Sequence, residues 1–349
     1  MKKITRSTCL AMALLSVLAQ TSFAALPDVL RQPAVHSNVS AQAVLLDVAR
    51  AGDRLVAVGE RGIVRLSDDN GNSWHQAQVP VSATLTAVQF VNASTGWAVG
   101  HSGVVLRTQD GGENWSVQLD GIRAAGMELA AAERSGDPRQ ISSAKQLVAD
   151  GADKPWLALH FVNEREGLVV GAYGLTFHTG DGGQTWQSWT GRIPNPRGMH
   201  VYAVTRIGDA IYLAGEQGLF VRSHDGGKQF ERLETPYEGS FFSLLAASEQ
   251  HLLLAGLRGR LFVSEDGGTS LIEQDNPLPV SVNTVRKVGK RLAIVNQAGG
   301  VMLATGIGQP LQVLPVGSGG PSTSIIEAAD GALVTVGFGG AQRLPRSTQ

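Results

Sequence analysis

LTAVQFVNASTGWAVGHSGVVLRTQDGGENWSVQL, residues Leu85 to Leu119, decides the fold. It reads as a strand, a turn, a second strand ending at Gly100, the tight link His101-Ser102, then Gly103 and a third strand. An Asp-Gly-Gly turn at 110–112 follows, and Trp115 opens a fourth strand. The Gly-x-x-Gly link recurs at Gly59/Gly62, Gly100/Gly103, Gly171/Gly174, Gly215/Gly218, Gly256/Gly259 and Gly337/Gly340, with a degenerate copy from Asn296 to Gly299. Successive starts lie 41, 71, 44, 41, 40 and 41 residues apart. A four-stranded propeller blade takes ~40–45 residues, so the chain holds seven blades and one interval carries an insertion of about thirty. The expected fold is all-β: one seven-bladed β-propeller domain over residues 25–349, with a small helical insertion at 121–155 between blades two and three.

Glycines on either side of a two-residue link let the chain reach positive φ between two paired strands. Apolar runs such as Leu55-Val56-Ala57-Val58 suit strands covered on both faces by neighbouring blades. Helical periodicity is absent from the seven units.

A second motif, Ser/Thr-x-Asp-x-Gly-x-Ser/Thr/Asn-Trp, follows the third strand. It stands as Ser67-Asp69-Gly71-Ser73-Trp74, as Thr108-Asp110-Gly112-Trp115 and as Thr179-Asp181-Gly183-Thr185-Trp186. Looser copies are Ser223-Asp225-Gly227-Phe230 and Ser264-Asp266-Gly268. Blade six keeps only Gly306 and Gly308, and blade seven has no copy. An aspartate in a tight turn accepts backbone N–H bonds, and the aromatic packs over it between blades. One copy per blade spreads the five aspartates around a ring, which argues against a shared metal or catalytic site.

These are Asp-box repeats, also called bacterial neuraminidase repeats. The GWAVG-x-x-G-x-hydrophobic-x-x-T-x-DGG-x-x-W unit resembles the photosystem II stability and assembly factor-like family. The resemblance covers roughly residues 40–345, strongly in blades one to five and weakly in six and seven. It implies a non-catalytic propeller that helps a membrane complex to assemble or stay intact. Related bacterial sequences with this unit tend to be exported and associated with membrane transport systems. The implied role is therefore a binding scaffold in the envelope, accessory to a transporter, for example one of the RND type.

The first residues carry their own signal. Lys2, Lys3 and Arg6 precede an apolar run from Thr8 to Ala19, and Ser22-Phe23-Ala24 supplies small residues for cleavage before Ala25. That is the pattern of a cleavable signal peptide over residues 1–24, with the periplasm as the expected address. Cys9, the only cysteine, falls inside it, so the mature chain is expected to lack thiols, disulfides and cysteine-ligated metals. Nothing after residue 24 is apolar for long enough to span a membrane. The whole chain has 29 Lys+Arg and 30 Asp+Glu, a net charge of −1. Losing the leader's three cations leaves −4, which gives no general attraction to nucleic acid. Eight histidines without ligand spacing, and no phosphate-binding glycine loop that opens a helix, leave no expected metal or cofactor.

Strand order assigns faces. The Gly-x-x-Gly hairpins and the blade-to-blade connections emerge on one side of a four-stranded blade, and the Asp boxes on the other. The hairpin residues vary, and varied loops on a rigid scaffold are where binding resides. The candidate partner-binding face therefore comprises Arg61, His101, Tyr173, Gln217 and Arg258 from the hairpins, with Arg123, Arg134 and Arg139 from the insertion. Arg192 and Arg197 fall in a connection on the same side. Arginines suit carboxylate or phosphate partners because guanidinium bonds them bidentately, although Glu60, Glu128, Glu133 and Glu216 partly neutralise them. The insertion reads as two helices, Ile122–Arg134 and Arg139–Ala149, broken by Ser135-Gly136-Asp137-Pro138 and expected to rise over that face. The last blade ends one strand short, and Pro33–Ser40 is expected to supply its outer strand.

The rival reading is an Asp-box glycoside hydrolase of the sialidase or glucanase kind. Arg192-Ile193-Pro194 imitates a sialidase element, but it falls after blade three rather than before the first Asp box. Tyr173 has no glutamate in a recognisable motif beside it. Hydrolysis by two carboxylates converging from different blades stays open at this level.

Overall fold

The computed structural model describes residues 28–315 and 320–345. The expected leader, with Cys9, lies outside the described residues. Seven antiparallel sheets follow one another along the chain, in strand order one to four within each blade. The first strands are Leu45–Ala51, Leu85–Phe90, Trp156–Phe161, Val201–Ile207, Phe241–Ala246, Val282–Val288 and Ser322–Glu327. Among the described residues six blades carry four strands and blade seven carries three, ending with Gly340–Arg343.

The core is a set of seams between blades. One cluster joins blades one and two through Val56, Val58, Leu66, Leu85, Ala98 and Trp115. Equivalent clusters join each later pair, and Ala57, Val336 and Val48, with Leu55 and Val334, close blade seven onto blade one. The second strand of each blade is buried almost throughout because it has a neighbouring blade on each side.

The two hairpin glycines are needed for different reasons. Gly59 is extended, with φ −169, so its backbone would suit any residue. A Cβ there would lie 2.0 Å from the Val44 carbonyl oxygen, where the incoming first strand bulges against it. Gly62 has φ +74, and a Cβ on it would also strike the Val81 carbonyl oxygen at 2.1 Å. The expectation that both glycines supply positive φ holds for the second only; the first is a close-approach glycine.

The ring does not close as expected. Pro33–Ser40 pairs with no strand of blade seven; Ala34 N–H donates to Val79 O at 3.0 Å and Gln76 Nε2 to Val35 O at 3.0 Å. This segment is a strap across blades one and two, because Val29, Leu30 and Ala34 bury their apolar groups in that seam. A 3₁₀ turn, Asn38–Gln42, then rests on the start of the last strand, with Ala41 O over Gly340. Closure comes instead from side chains. Thr323 donates to Leu45 O at 2.8 Å, and Asp47 accepts from Ser324 at 2.8 Å and from Arg286 at 2.5 Å.

The insertion forms α1 (Gly121–Ser135) and α2 (Pro138–Asp150), packed on each other. Asp120 caps α1 by accepting from Arg123 N–H, Gly136 ends it in the left-handed region, and Asp137 caps α2 ahead of Pro138. Helix α1 lies against the outer strand of blade three, Gln187–Ser188, and the turns at 101–103 and 190–192. The helical hairpin is therefore seated both on the outer strand of blade three and on two turns of the hairpin side. Ala124 and Ala125 let the backbone come close, and Met127 and Leu147 join the seam between blades two and three.

Candidate functional site

In blades one to five the hairpin is a single 3₁₀ turn whose middle residue is left-handed without being glycine. These residues are Arg61 (φ 52), Ser102 (φ 57), Tyr173 (φ 56), Gln217 (φ 51) and Arg258 (φ 58). Each such conformation costs ~1–2 kcal/mol and persists only where surrounding bonds impose it. Ile63 N–H returns to Glu60 O at 2.9 Å, and the Glu60 carboxylate accepts Val44 N–H at 2.9 Å. In blade four Glu216 repeats the device, accepting from His200 N–H at 3.1 Å. The connections secure the turns from the other side, as when Arg258 N–H donates to Ser281 Oγ at 3.0 Å.

This geometry puts Arg61, Tyr173, Gln217 and Arg258 in solvent around one face, with Tyr173 56% exposed. His101, the first residue of its turn, is exposed as well, while Ser102 holds the left-handed place in blade two. Blades six and seven break the pattern. The Asn296 side chain accepts from Ala298 and Gly300 N–H, and Gly337 pairs directly with Gly340. Phe338 at that last link is 59% exposed.

The other three arginines belong to the rim. Arg123 donates from Nη1 to Gln118 O at 2.8 Å, Arg134 from Nε to Ala130 O at 3.1 Å, and Arg139 is exposed on α2. Arg192 turns toward blade four, where Nη1 meets Gly227 O at 3.0 Å and the guanidinium covers Trp189 at 4.6 Å. Arg123 and Arg134 are thus tied to backbone carbonyls of the insertion and its entry, and Arg192 to an inter-blade bond.

Sequence reasoning missed the aromatic residues that lead from this face inward. Tyr173, His200, Tyr202 and Phe242 follow one another at centroid distances of 5.1, 6.1 and 5.3 Å, tilted by 50°, 49° and 64°. Lys154 Nζ covers the Tyr173 ring at 5.1 Å. Its ammonium is held in the charged form by the hydrogen bond it donates to Asp153, then by Asp150. Tyr202 and Phe242 line a central channel of about 470 Å3, walled by the first strands of all seven blades. One signal was available: both sit one residue past the position paired with the hairpin glycine, Val201↔Gly215 and Phe241↔Gly256.

Asp47 is the one carboxylate among the described residues lining the channel, and Arg286 binds it. A two-carboxylate hydrolytic mechanism has no pair there. His160, on the same wall, is driven down to about 4 by burial and by the nearby Arg206 charge, so it is neutral at ordinary pH.

The Asp boxes occupy the opposite face and are consumed by their own turns. Asp69 Oδ1 accepts from Ser73 N–H at 2.8 Å, Asn72 N–H at 3.1 Å and the Ser67 hydroxyl at 2.9 Å. Its Oδ2 takes the Ser73 hydroxyl at 2.6 Å, and these bonds hold the carboxyl down at about 2. Asp110, Asp181, Asp225 and Asp266 repeat the arrangement and are likewise lowered. The indole N–H of Trp74, Trp115 and Trp186 each donates to the box glycine carbonyl of Gly71, Gly112 and Gly183. Each box packs on the preceding blade: Gly112 rests against Val56 and Leu66, and Gly71 against Val334. Arg54, Arg222 and Arg343 then reach forward one blade to the box carbonyls of Gly111, Gly267 and Asn70.

Residues 66–148 and 137–270, more than half of the chain, match the family model of the photosynthesis system II assembly factor YCF48. The photosystem II assembly lipoprotein Ycf48 of Synechococcus sp. (strain CC9902) is 26% identical over 136 residues, 35% of this chain and 41% of that protein. The photosystem II assembly protein Ycf48 of Synechococcus sp. (strain JA-2-3B'a(2-13)) is 28% identical over 161 residues, 40% of this chain and 46% of that one. The chain thus spans less than half the length of either relative. A solved structure of YCF48 bound to D1 peptide superposes with a TM-score of 0.62 at 16% identity, over 90% of this chain and 98% of that one. At that identity the likeness is one of fold.

Proposed function

The chain belongs to the family of the photosynthesis system II assembly factor YCF48, and on that premise we propose that it is a non-catalytic scaffold that binds a protein partner during assembly or upkeep of a membrane complex. One observation carries the reading. The repeated motif residues of the Asp boxes spend their polar groups inside their own turns, while the hairpin face holds dissimilar residues outward at strained, repeated positions. A rigid ring that displays different side chains from equivalent positions is a recognition surface. The relative structure of YCF48 bound to D1 peptide supports a polypeptide as the class of partner.

The finer part of the proposal is where this happens and with what. The basic start, the apolar run Thr8–Ala19 and Ser22-Phe23-Ala24 support export to the periplasm. An exported member of this family has an envelope complex within reach, and a transporter of the RND type is the proposed partner.

The test is capture from envelope membranes with the wild-type protein and with a triple variant, Arg61→Glu, Tyr173→Ala, Arg258→Glu. The partner set is expected to be lost from the variant and kept by Lys228→Glu, on the Asp-box side. Recovery of the same set by all three proteins would overturn the reading. So would turnover of a sialoside or glucan that a single carboxylate substitution abolishes.

A further inference from the structure

The hairpin-face end of the central channel is a cup with two unlike walls. Blades three to five contribute Leu157, Tyr202 and Phe242, and the remaining blades contribute Leu46, Thr86, Asn283 and Thr323. The polar wall is already committed. Thr86 donates to Trp156 O at 2.8 Å, Asn283 Nδ2 to Ser322 O at 2.7 Å, and Thr323 to Leu45 O at 2.8 Å. Deeper in, Arg286 spans from blade six to blade one, with Nη1 on Val48 O at 2.6 Å and Nη2 on Asp47 at 2.5 Å. The charged pair is thereby neutralised, while Arg50 and Lys287 lie at the opposite ends of their strands, by the Asp-box face.

Resting on the scaffold reading above, we infer that this cup is the anchor pocket of the hairpin face and takes an uncharged aromatic side chain from the partner polypeptide. Electrostatic complementarity favours a neutral group, since the cup presents no uncompensated charge. The whole channel measures about 470 Å3, and the cup at its hairpin-face end is a part of it, which suits one side chain and excludes a folded element. The rings of Tyr202 and Phe242 meet at 64°, so they form an edge-and-face notch, the geometry in which a third ring packs well. A glycan is the disfavoured occupant. Sugars stack on open aromatic faces and need many hydrogen bonds, whereas Lys154 covers Tyr173, and Thr86, Asn283 and Thr323 spend donors on backbone carbonyls, leaving the Tyr202 hydroxyl as the polar group of the aromatic wall. Buried aromatic anchors surrounded by water-excluding contacts are how small areas acquire affinity.

The experiment uses capped probes, so it needs no knowledge of the partner. Binding of N-acetyl-L-phenylalaninamide, N-acetyl-L-leucinamide and chitotriose to the purified protein is measured by saturation-transfer NMR. The phenylalanine amide is expected to bind saturably, with a Kd of about 1–10 mM as befits a fragment of that size. The leucine amide should bind more weakly and chitotriose not at all. Phe242→Ala should weaken the aromatic probe at least about fivefold, and Leu157→Trp, which fills the cup from its wall, should do the same without opening a cavity. Tight binding of chitotriose, no saturable binding of the aromatic amide, or unchanged binding in Leu157→Trp would overturn the inference. Capture that still depends on Arg61, Tyr173 and Arg258 would then leave the scaffold reading standing without the cup. Probe binding with hairpin-independent capture would sink the scaffold reading alone.

Discussion

Arg286 of blade six binds Asp47 of blade one past the intervening blade seven, with Nη2 2.5 Å from Oδ1. The same carboxylate accepts Val88 N–H of blade two at 3.0 Å and the Ser324 hydroxyl of blade seven at 2.8 Å. Four blades thus converge on one buried aspartate. This cluster does the work that a shared outer strand would do, because blade seven has three strands among the described residues.

Removing one partner of a largely buried pair leaves the other charge poorly solvated. Arg286→Met should therefore destabilise by about 3 kcal/mol. Arg123→Met, on the exposed rim, should fall within about 0.5 kcal/mol of wild type. Urea unfolding followed by far-ultraviolet circular dichroism compares the two. Equal midpoints would show that the ring closes by apolar packing alone.

Neighbouring glycines in the last hairpin should behave oppositely. Gly340 has φ +83, and an added Cβ would lie 2.2 Å from Ala41 O, whereas a Cβ on Gly339 would meet nothing within 4 Å. Gly340→Ala is expected to cost at least about 2 kcal/mol through strain and loss of the 38–42 contact. Gly339→Ala should be close to neutral. Melting temperatures of the two variants decide it, and a stable Gly340→Ala would mean that the 3₁₀ turn is not seated on the last strand.

The Asp boxes predict an acid limit. Hydrogen bonds from the Ser73 hydroxyl and N–H lower the Asp69 carboxyl to about 2, below the ordinary aspartate value of about 3.9. A lowered folded-state value stabilises the fold above the unfolded value and loses that contribution as pH falls through the folded one. Wild-type melting temperature should therefore drop between pH about 4 and 2, and Asp69→Asn should show a shallower drop and meet wild type near pH 2. Parallel curves for the two proteins would refute the turn-locking role.

Glu128 titrates with the opposite sign. Burial against blade three raises its carboxyl, opposed by the hydroxyls of Ser188 and Thr190. A raised acid is most favourable to the fold below the unfolded value, and that contribution is lost as pH rises through the folded one. Glu128→Gln should then melt roughly 2 °C above wild type at pH 8, the gain vanishing below pH about 4. A variant less stable at pH 8 would show that the ionised carboxylate itself fastens the insertion.

Repeats are written in short-range chemistry, which is why so much of the ring was legible in the chain. Gly100 and Gly103, Asp110 with Thr108 and Asn114, and Trp115 meet partners within a few residues, so spacing alone revealed seven blades, two faces and the helical insertion. The varied hairpin residues were legible for the same reason, since Arg61, Tyr173, Gln217 and Arg258 are defined by the glycines beside them. Relations between distant segments were decided by tertiary structure. Residues 33–37 settle on blades one and two because the apolar groups of Val29, Leu30 and Ala34 find that seam, and no local signal distinguishes that from a closing strand. The seat of α1 against the outer strand of blade three was decided by the small, buried Ala124, Ala125 and Ala132, a choice made by shape complementarity. The channel cup, with Tyr202 and Phe242 beside Asn283 and Thr323, exists only when seven first strands meet.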